Sequence, residues 1–258
     1  MNFYVVVNVE GEIRALISKV EELVGKAEKT DYIMPVILPF IPTIVQIIGG
    51  VLFIGGVFTT GGLTTGRIYS AFLMTMGIVV ILVGIVLNFW VIYRWIKRRN
   101  EHFERSLLYY ETLVELAEKL EFKRGVILKS RLNELREINR KIRNALANTI
   151  LTILPFYIYY VYHFLNKDFA KHSEREKLFL AELFDELRER FPSFTRRIDE
   201  VVSVPERSTL LYLILTWVTG LFLIYWVYTL TKDPNKHFES HYTIERDVLV
   251  ALREMAKG

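Results

Sequence analysis

The residues best spaced for chemistry are His237-Phe-Glu-Ser-His241, followed by Glu245. On a helix they stand at i, i+4 and i+8 along one face, and imidazoles one turn apart can converge on a metal ion. Multi-histidine membrane enzymes use several such pairs, whereas this chain has five His in all and only this pair so spaced. His237, His241 and Glu245 are therefore the sole metal candidates, their default reading is polar residues at an interface, and the expected metal and cofactor content is none. Gly61-Gly-Leu-Thr-Thr-Gly66 imitates the spacing of a phosphate loop but continues as Arg67-Ile68, without the Lys and hydroxyl that grip phosphate and magnesium. It reads as a turn, and no nucleotide is expected. With no Cys there is no thiolate catalyst, disulfide or Cys-based metal site.

The elements that would position these residues belong to a membrane protein. The 258 residues are 52% hydrophobic, and mean hydropathy is +0.25. Four stretches lack any Asp, Glu, Lys or Arg: Tyr32–Gly66, Ile68–Tyr93, Asn144–Asn166 and Ser208–Thr231. Roughly 20 apolar residues suffice to cross a bilayer as a helix. The net charge of +4 suits membrane topology, and no nucleic-acid partner is expected. One Gln against 33 Lys+Arg and 29 Asp+Glu is a thermophile pattern.

The fold class read from these patterns is an all-α integral membrane protein with five blocks. Residues 1–31 hold Asn2–Val9, read as a short strand or else as a frayed terminus, and an amphipathic helix whose apolar face is Ile13, Leu16, Ile17, Val20, Leu23, Val24 and Ala27. Residues 32–96 form a transmembrane hairpin with a bent entry at Pro35, Pro39 and Pro42. The small residues Gly49, Gly56, Ser70, Gly77 and Gly84 recur every seven positions there, which lets helices approach closely. Residues 97–147 form a cytoplasmic helical hairpin broken at Gly125, with Leu128, Leu132, Leu135, Ile138 and Ile142 facing inward. Residues 148–207 and 208–258 are two membrane repeats, each leading into amphipathic helices at Asp168–Phe191 and Asn235–Ala256. A shorter helix is expected at Phe194–Val202.

The repeat is visible in Asn166-Lys-Asp-Phe-Ala-Lys-His172 against Thr231-Lys-Asp-Pro-Asn-Lys-His237, with a fainter copy at Asn100-Glu-His102-Phe-Glu104. The apolar run Gly220-Leu-Phe-Leu-Ile-Tyr225-Trp226 resembles the G-I-Y-x-I-Y-W signature of an uncharacterised prokaryotic membrane family, a domain of unknown function carried in tandem. Pro155-Phe-Tyr-Ile-Tyr-Tyr160-Val161 looks like a degraded second copy. The resemblance covers about 148–239 and implies a tandem membrane unit but no activity.

Lys97–Arg143 holds 13 Lys/Arg against 8 Asp/Glu, while Thr59–Arg67 holds one positive charge. By the positive-inside rule both ends of the hairpin face the cytoplasm, as do both termini. The last two apolar segments either cross or dip in and return at Pro155 and Gly220. The nine Lys/Arg of Lys167–Arg207 favour the second arrangement. Trp90, Lys97, Arg98, Arg99, Tyr225, Trp226 and Lys232 are the candidates for contact with lipid headgroups. The expected function is a non-catalytic membrane scaffold, homo-oligomeric, with membrane lipids as partners. A small channel or uncoupled transporter is the alternative, and a lipid-modifying metalloenzyme a distant one.

Overall fold

The computed structural model describes residues 3–59 and 64–256, with side chains over 10–59 and 66–256. The described residues are all-α, with eight helices: α1 (Phe3–Thr30), α2 (Ile41–Phe58), α3 (Thr64–Lys119), α4 (Gly125–Asn139), α5 (Ala145–Leu151), α6 (Tyr157–Arg190), α7 (Thr209–Thr219) and α8 (Phe222–Met255). The expected strand is corrected, because Phe3–Val9 is the first part of α1 (Asn2 lies outside the described residues). A lone strand leaves its backbone groups unpaired, whereas a helix satisfies them internally. Extending a helix already nucleated downstream costs less than starting another element.

The chain divides into two compact units. One comprises Met34–Ile96 and Asn144–Tyr157. A 3₁₀ turn, Leu38–Phe40, absorbs Pro39, and α2 starts with Pro42 in its first turn, where a missing N–H costs nothing. α2 and α3 are both long and apolar enough to cross a membrane, and only 17% of each apolar window is buried by the rest of the chain. Their glycine faces meet each other. A Cβ at Gly77 would stand 2.6 Å from the Phe53 amide nitrogen, and one at Gly49 would stand 2.8 Å from the Gly77 carbonyl oxygen. The Ser70 hydroxyl donates to the Gly56 carbonyl at 2.6 Å across the same seam. The small-residue faces are thus consumed within the hairpin. In the same unit α5 ends in turns around Pro155, with Phe156 at φ 67°, and the Tyr157 hydroxyl reaches back to Asn148 Oδ1 at 2.9 Å.

The other unit comprises Met1–Ile33, Lys97–Arg143 and Ile158–Gly258. Its core is built from Val20 and Leu23 of α1, Leu113 and Leu116 of α3, Leu128, Leu132 and Leu135 of α4, Phe179 and Leu183 of α6, and Val248 and Leu252 of α8. The second apolar run and the charged arm after it form one uninterrupted helix of 56 residues. α6 and α8 likewise pass from apolar to charged sequence without a break, and α8 carries Pro234 inside it. α4 ends at Asn139, so Ile142 is exposed instead of inward-facing, and Phe194–Val202 contains only the 3₁₀ turn Ile198–Glu200. Gly220, at φ +65°, turns α7 back onto α8, and Tyr212 packs edge-on against Phe222 and Trp226.

Candidate metal centre

The three repeated histidines meet inside this second unit. His102 comes from α3, His172 from α6 and His237 from α8, and all three are fully buried. One turn after each, the helices present Ser106, Glu176 and His241. The ligand atoms of His102, Glu176, His237 and His241 all lie within 4.8 Å of one another. His172 Nε2 is 3.1 Å from His102 Nε2 and 3.4 Å from Glu176 Oε1, so it stands at the same centre.

Each imidazole has its Nδ1 turned outward to an acceptor. His102 Nδ1 faces Asp31 Oδ2 at 3.1 Å, and His172 Nδ1 faces Asn139 Oδ1 at 2.8 Å. Asn139 is oriented by its own Nδ2, which donates to the Phe103 carbonyl and to Ser106 Oγ. His237 Nδ1 donates to the Val202 carbonyl at 2.8 Å, and His241 Nδ1 meets Glu245 Oε1 at 2.9 Å. Outer partners of this kind fix the tautomer of a metal-binding histidine and aim its Nε2. His237 Nε2 is buried with no hydrogen-bond partner and points at Glu176 Oε2, 3.3 Å away. His241 Nε2 lies 2.9 Å from the same oxygen. The Tyr110 hydroxyl donates to Glu176 Oε1 at 2.7 Å, so both carboxylate oxygens are committed to the centre.

Arg105 closes the outer ring. Its Nη1 donates to Glu245 at 2.8 Å and its Nη2 to Asp31 at 2.7 Å. Burial alone would raise the Asp31 and Glu176 carboxyls, but neighbouring cations and imidazoles more than offset it, and both are held well below the usual carboxylate range. Burial pushes His102 down to about 4, and it holds His237 well below the ordinary imidazole value. His241 is the exception. Burial is outweighed by Glu176 and then Glu245, which raise it to about 10.

Of the sequence candidates, His237 and His241 are in the cluster and Glu245 stands behind it. Eight residues of helix advance about 12 Å, too far for Glu245 to share one ion with His237. His102, His172 and Glu176 were missed, although the histidine common to all three repeat copies is the signal that marks the first two. The lipid-contact candidates divide. Trp90 and Tyr225 are exposed, Lys97 is partly exposed beside Glu101, and the Lys232 ammonium sits over the Tyr228 ring. Arg98, Arg99 and Trp226 are corrected, because all three are buried in protein. Arg98 donates to Asn235 Oδ1 and the Leu230 carbonyl, and Arg99 donates to the Lys141 carbonyl and pairs with Asp168. Trp226 stacks on Tyr159. Comparison of the chain with protein-family models, with curated proteins and with solved structures gives no match.

Proposed function

We propose that this chain is a membrane-anchored helical scaffold whose charged bundle is pinned by one divalent transition-metal ion. The ion's ligands are His102, His237, His241 and Glu176, with His172 beside them. The observation that carries this reading is the pair of His102 and His172 Nε2 atoms, 3.1 Å apart, each on a ring whose Nδ1 faces an acceptor. With both Nδ1 atoms protonated, two lone pairs face each other, and a cation between them removes the repulsion. Charge supports the same conclusion. Asp31, Glu176 and Glu245 are three buried carboxylates against one Arg105, so once the ion displaces the proton of His241 the ligand set and its neighbours carry two negative charges in excess. A divalent ion cancels them. A nitrogen-rich donor set suits Zn, Fe, Ni or Cu over Mg or Ca. The ligands are at most 2% exposed, which favours a structural ion over one that meets a substrate.

Membrane attachment rests on α2 and the first part of α3, whose outward side chains are almost all apolar. α5 and α7 have 7 and 11 residues, well short of the roughly 20 that a crossing needs. Moreover, Lys97–Arg143 and Ile158–Gly258 form one compact unit, joined by the Arg99–Asp168 pair at 2.9 Å. A crossing between them would put the two halves of this unit on opposite sides of a bilayer. This supports the re-entrant arrangement.

Elemental analysis of the full chain, purified in mild detergent and loaded with Zn, Fe, Co, Ni or Cu, tests the metal. About one ion per chain is expected. Stripping it should lower the melting temperature, since an ion held at a hundred times its Kd adds about 2.7 kcal/mol. His237→Ala and Glu176→Gln should lose the ion, while His163→Ala, outside the cluster, should keep it. If none of these ions is retained at stoichiometry and chelators leave melting unchanged, the reading fails.

A further inference from the structure

We infer that the cleft between Lys141–Arg143 and the Tyr160–Lys171 stretch of α6 binds the phosphate headgroup of an anionic lipid. The cleft measures about 270 Å³ and presents Lys141, Arg143, Lys167 and Lys171 against one carboxylate, Asp168. That carboxylate is already shared, with Arg99 at 2.9 Å and with Arg143 through two bonds of 3.0 and 3.2 Å. The cleft therefore keeps an excess of positive charge. Arg143 is held in place, since Asp168 grips its guanidinium from one side and the Phe164 ring lies 4.6 Å below it. A fixed guanidinium flanked by the exposed ammonium groups of Lys141, Lys167 and Lys171 suits phosphate recognition.

Lipid, as the source of that phosphate, follows from what borders the cleft. The chain enters apolar α5 directly after Arg143, and α5 and the turns after it expose Leu146, Ile150, Ile153, Leu154 and Phe156. On the other border, His163 bonds Thr209 Oγ1 at 2.7 Å, and α7 leaves from there with Leu210, Trp217 and Val218 exposed. The cleft's own chain thus runs straight into an apolar segment after Arg143 and meets the start of a second one at Thr209, which fits a place at headgroup depth, with Tyr160 half-exposed at its rim. This inference shares the membrane attachment proposed above but not the metal.

The test uses the full chain, delipidated in mild detergent, and native mass spectrometry with phosphatidylglycerol, phosphatidylcholine or inorganic phosphate. Phosphatidylglycerol is expected to bind at concentrations at least tenfold below phosphatidylcholine. Each of Lys141→Gln, Lys167→Gln and Lys171→Gln should weaken it about fivefold, near 1 kcal/mol per charge. Lys29→Gln, on an exposed residue of α1, should leave it unchanged. Metal content and melting temperature verify that each variant is folded, so a failure here is separate from a failure of the metal centre. Equal affinity for the two lipids, or an unaffected triple variant, overturns the inference. Inorganic phosphate binding as tightly as phosphatidylglycerol overturns the assignment to lipid.

Discussion

At the scale of residues, the centre depends on which nitrogen of each imidazole faces out. Asp31 Oδ2 stands 3.1 Å from His102 Nδ1 as its charged neighbour and is itself held by Arg105. Asp31→Asn keeps the shape but weakens the outer partner, and such changes typically cost 10–100-fold in metal affinity. We expect the ion to remain bound at lower affinity, measured by chelator competition. A second expectation concerns protons. His241 is raised to about 10, so the metal-free protein carries an imidazolium there at neutral pH. Its stabilising effect is complete below the unfolded value near 6.5 and declines as pH rises towards 10, because the folded state binds the extra proton across that window. Metal must displace that proton from Nε2. Between pH 6.5 and 10, metal-free melting should fall while metal affinity rises, by about tenfold per pH unit for one displaced proton. Affinity flat across this window would show that metal binding displaces no proton from His241 there.

At the scale of elements, two devices do most of the work. The first is the α2–α3 seam. Gly77→Val would drive a side chain into the Phe53 backbone, whereas Gly50→Val meets nothing within 4 Å. Overpacking usually costs 1–3 kcal/mol. Thermal unfolding in detergent should therefore drop for Gly77→Val and stay nearly unchanged for Gly50→Val. The second is the continuity of α3, α6 and α8 from apolar into charged sequence. A break after each apolar run would uncouple the histidine from the segment before it. Instead the three helices run unbroken through their histidines, which meet at one centre.

At the scale of the whole molecule, topology is testable with single cysteines, since the chain has none of its own. Ser173 and Ser106 are unsuitable sites because both are fully buried, and the Ser173 hydroxyl accepts from the Val204 amide. Glu104, Glu174, Ser193 and Arg67 are exposed. Cysteines at Glu104, Glu174 and Ser193 should resist an impermeant thiol reagent on intact cells, and one at Arg67 should react. Reaction at Glu174 and Ser193 equal to that at Arg67 would mean four crossings and would sink the re-entrant arrangement.

By itself the sequence determined what depends on local order and composition. Uncharged runs mark α2 and the first part of α3, because length and apolar composition are legible without knowing any partner. Periods of three and four mark the faces of α1, α4, α6 and α8, and Pro155 and Gly220 mark the turns, since their backbone constraints are local. The repeat was also legible, but its meaning was not. His237, His241 and Glu245 looked like a site because they share a helix, whereas the cluster joins His237 and His241 of α8 to His102 of α3 and to His172 and Glu176 of α6, with histidines of different helices 65 or more residues apart. Only the tertiary structure decided that, because helical spacing reports which residues share a face and not which faces meet. It also decided the fate of Arg98, Arg99 and Trp226. Their types suit a lipid interface, and packing between distant segments turned them inward. The strand at the N-terminus failed for the related reason that β-branched residues form strands only where a partner strand exists.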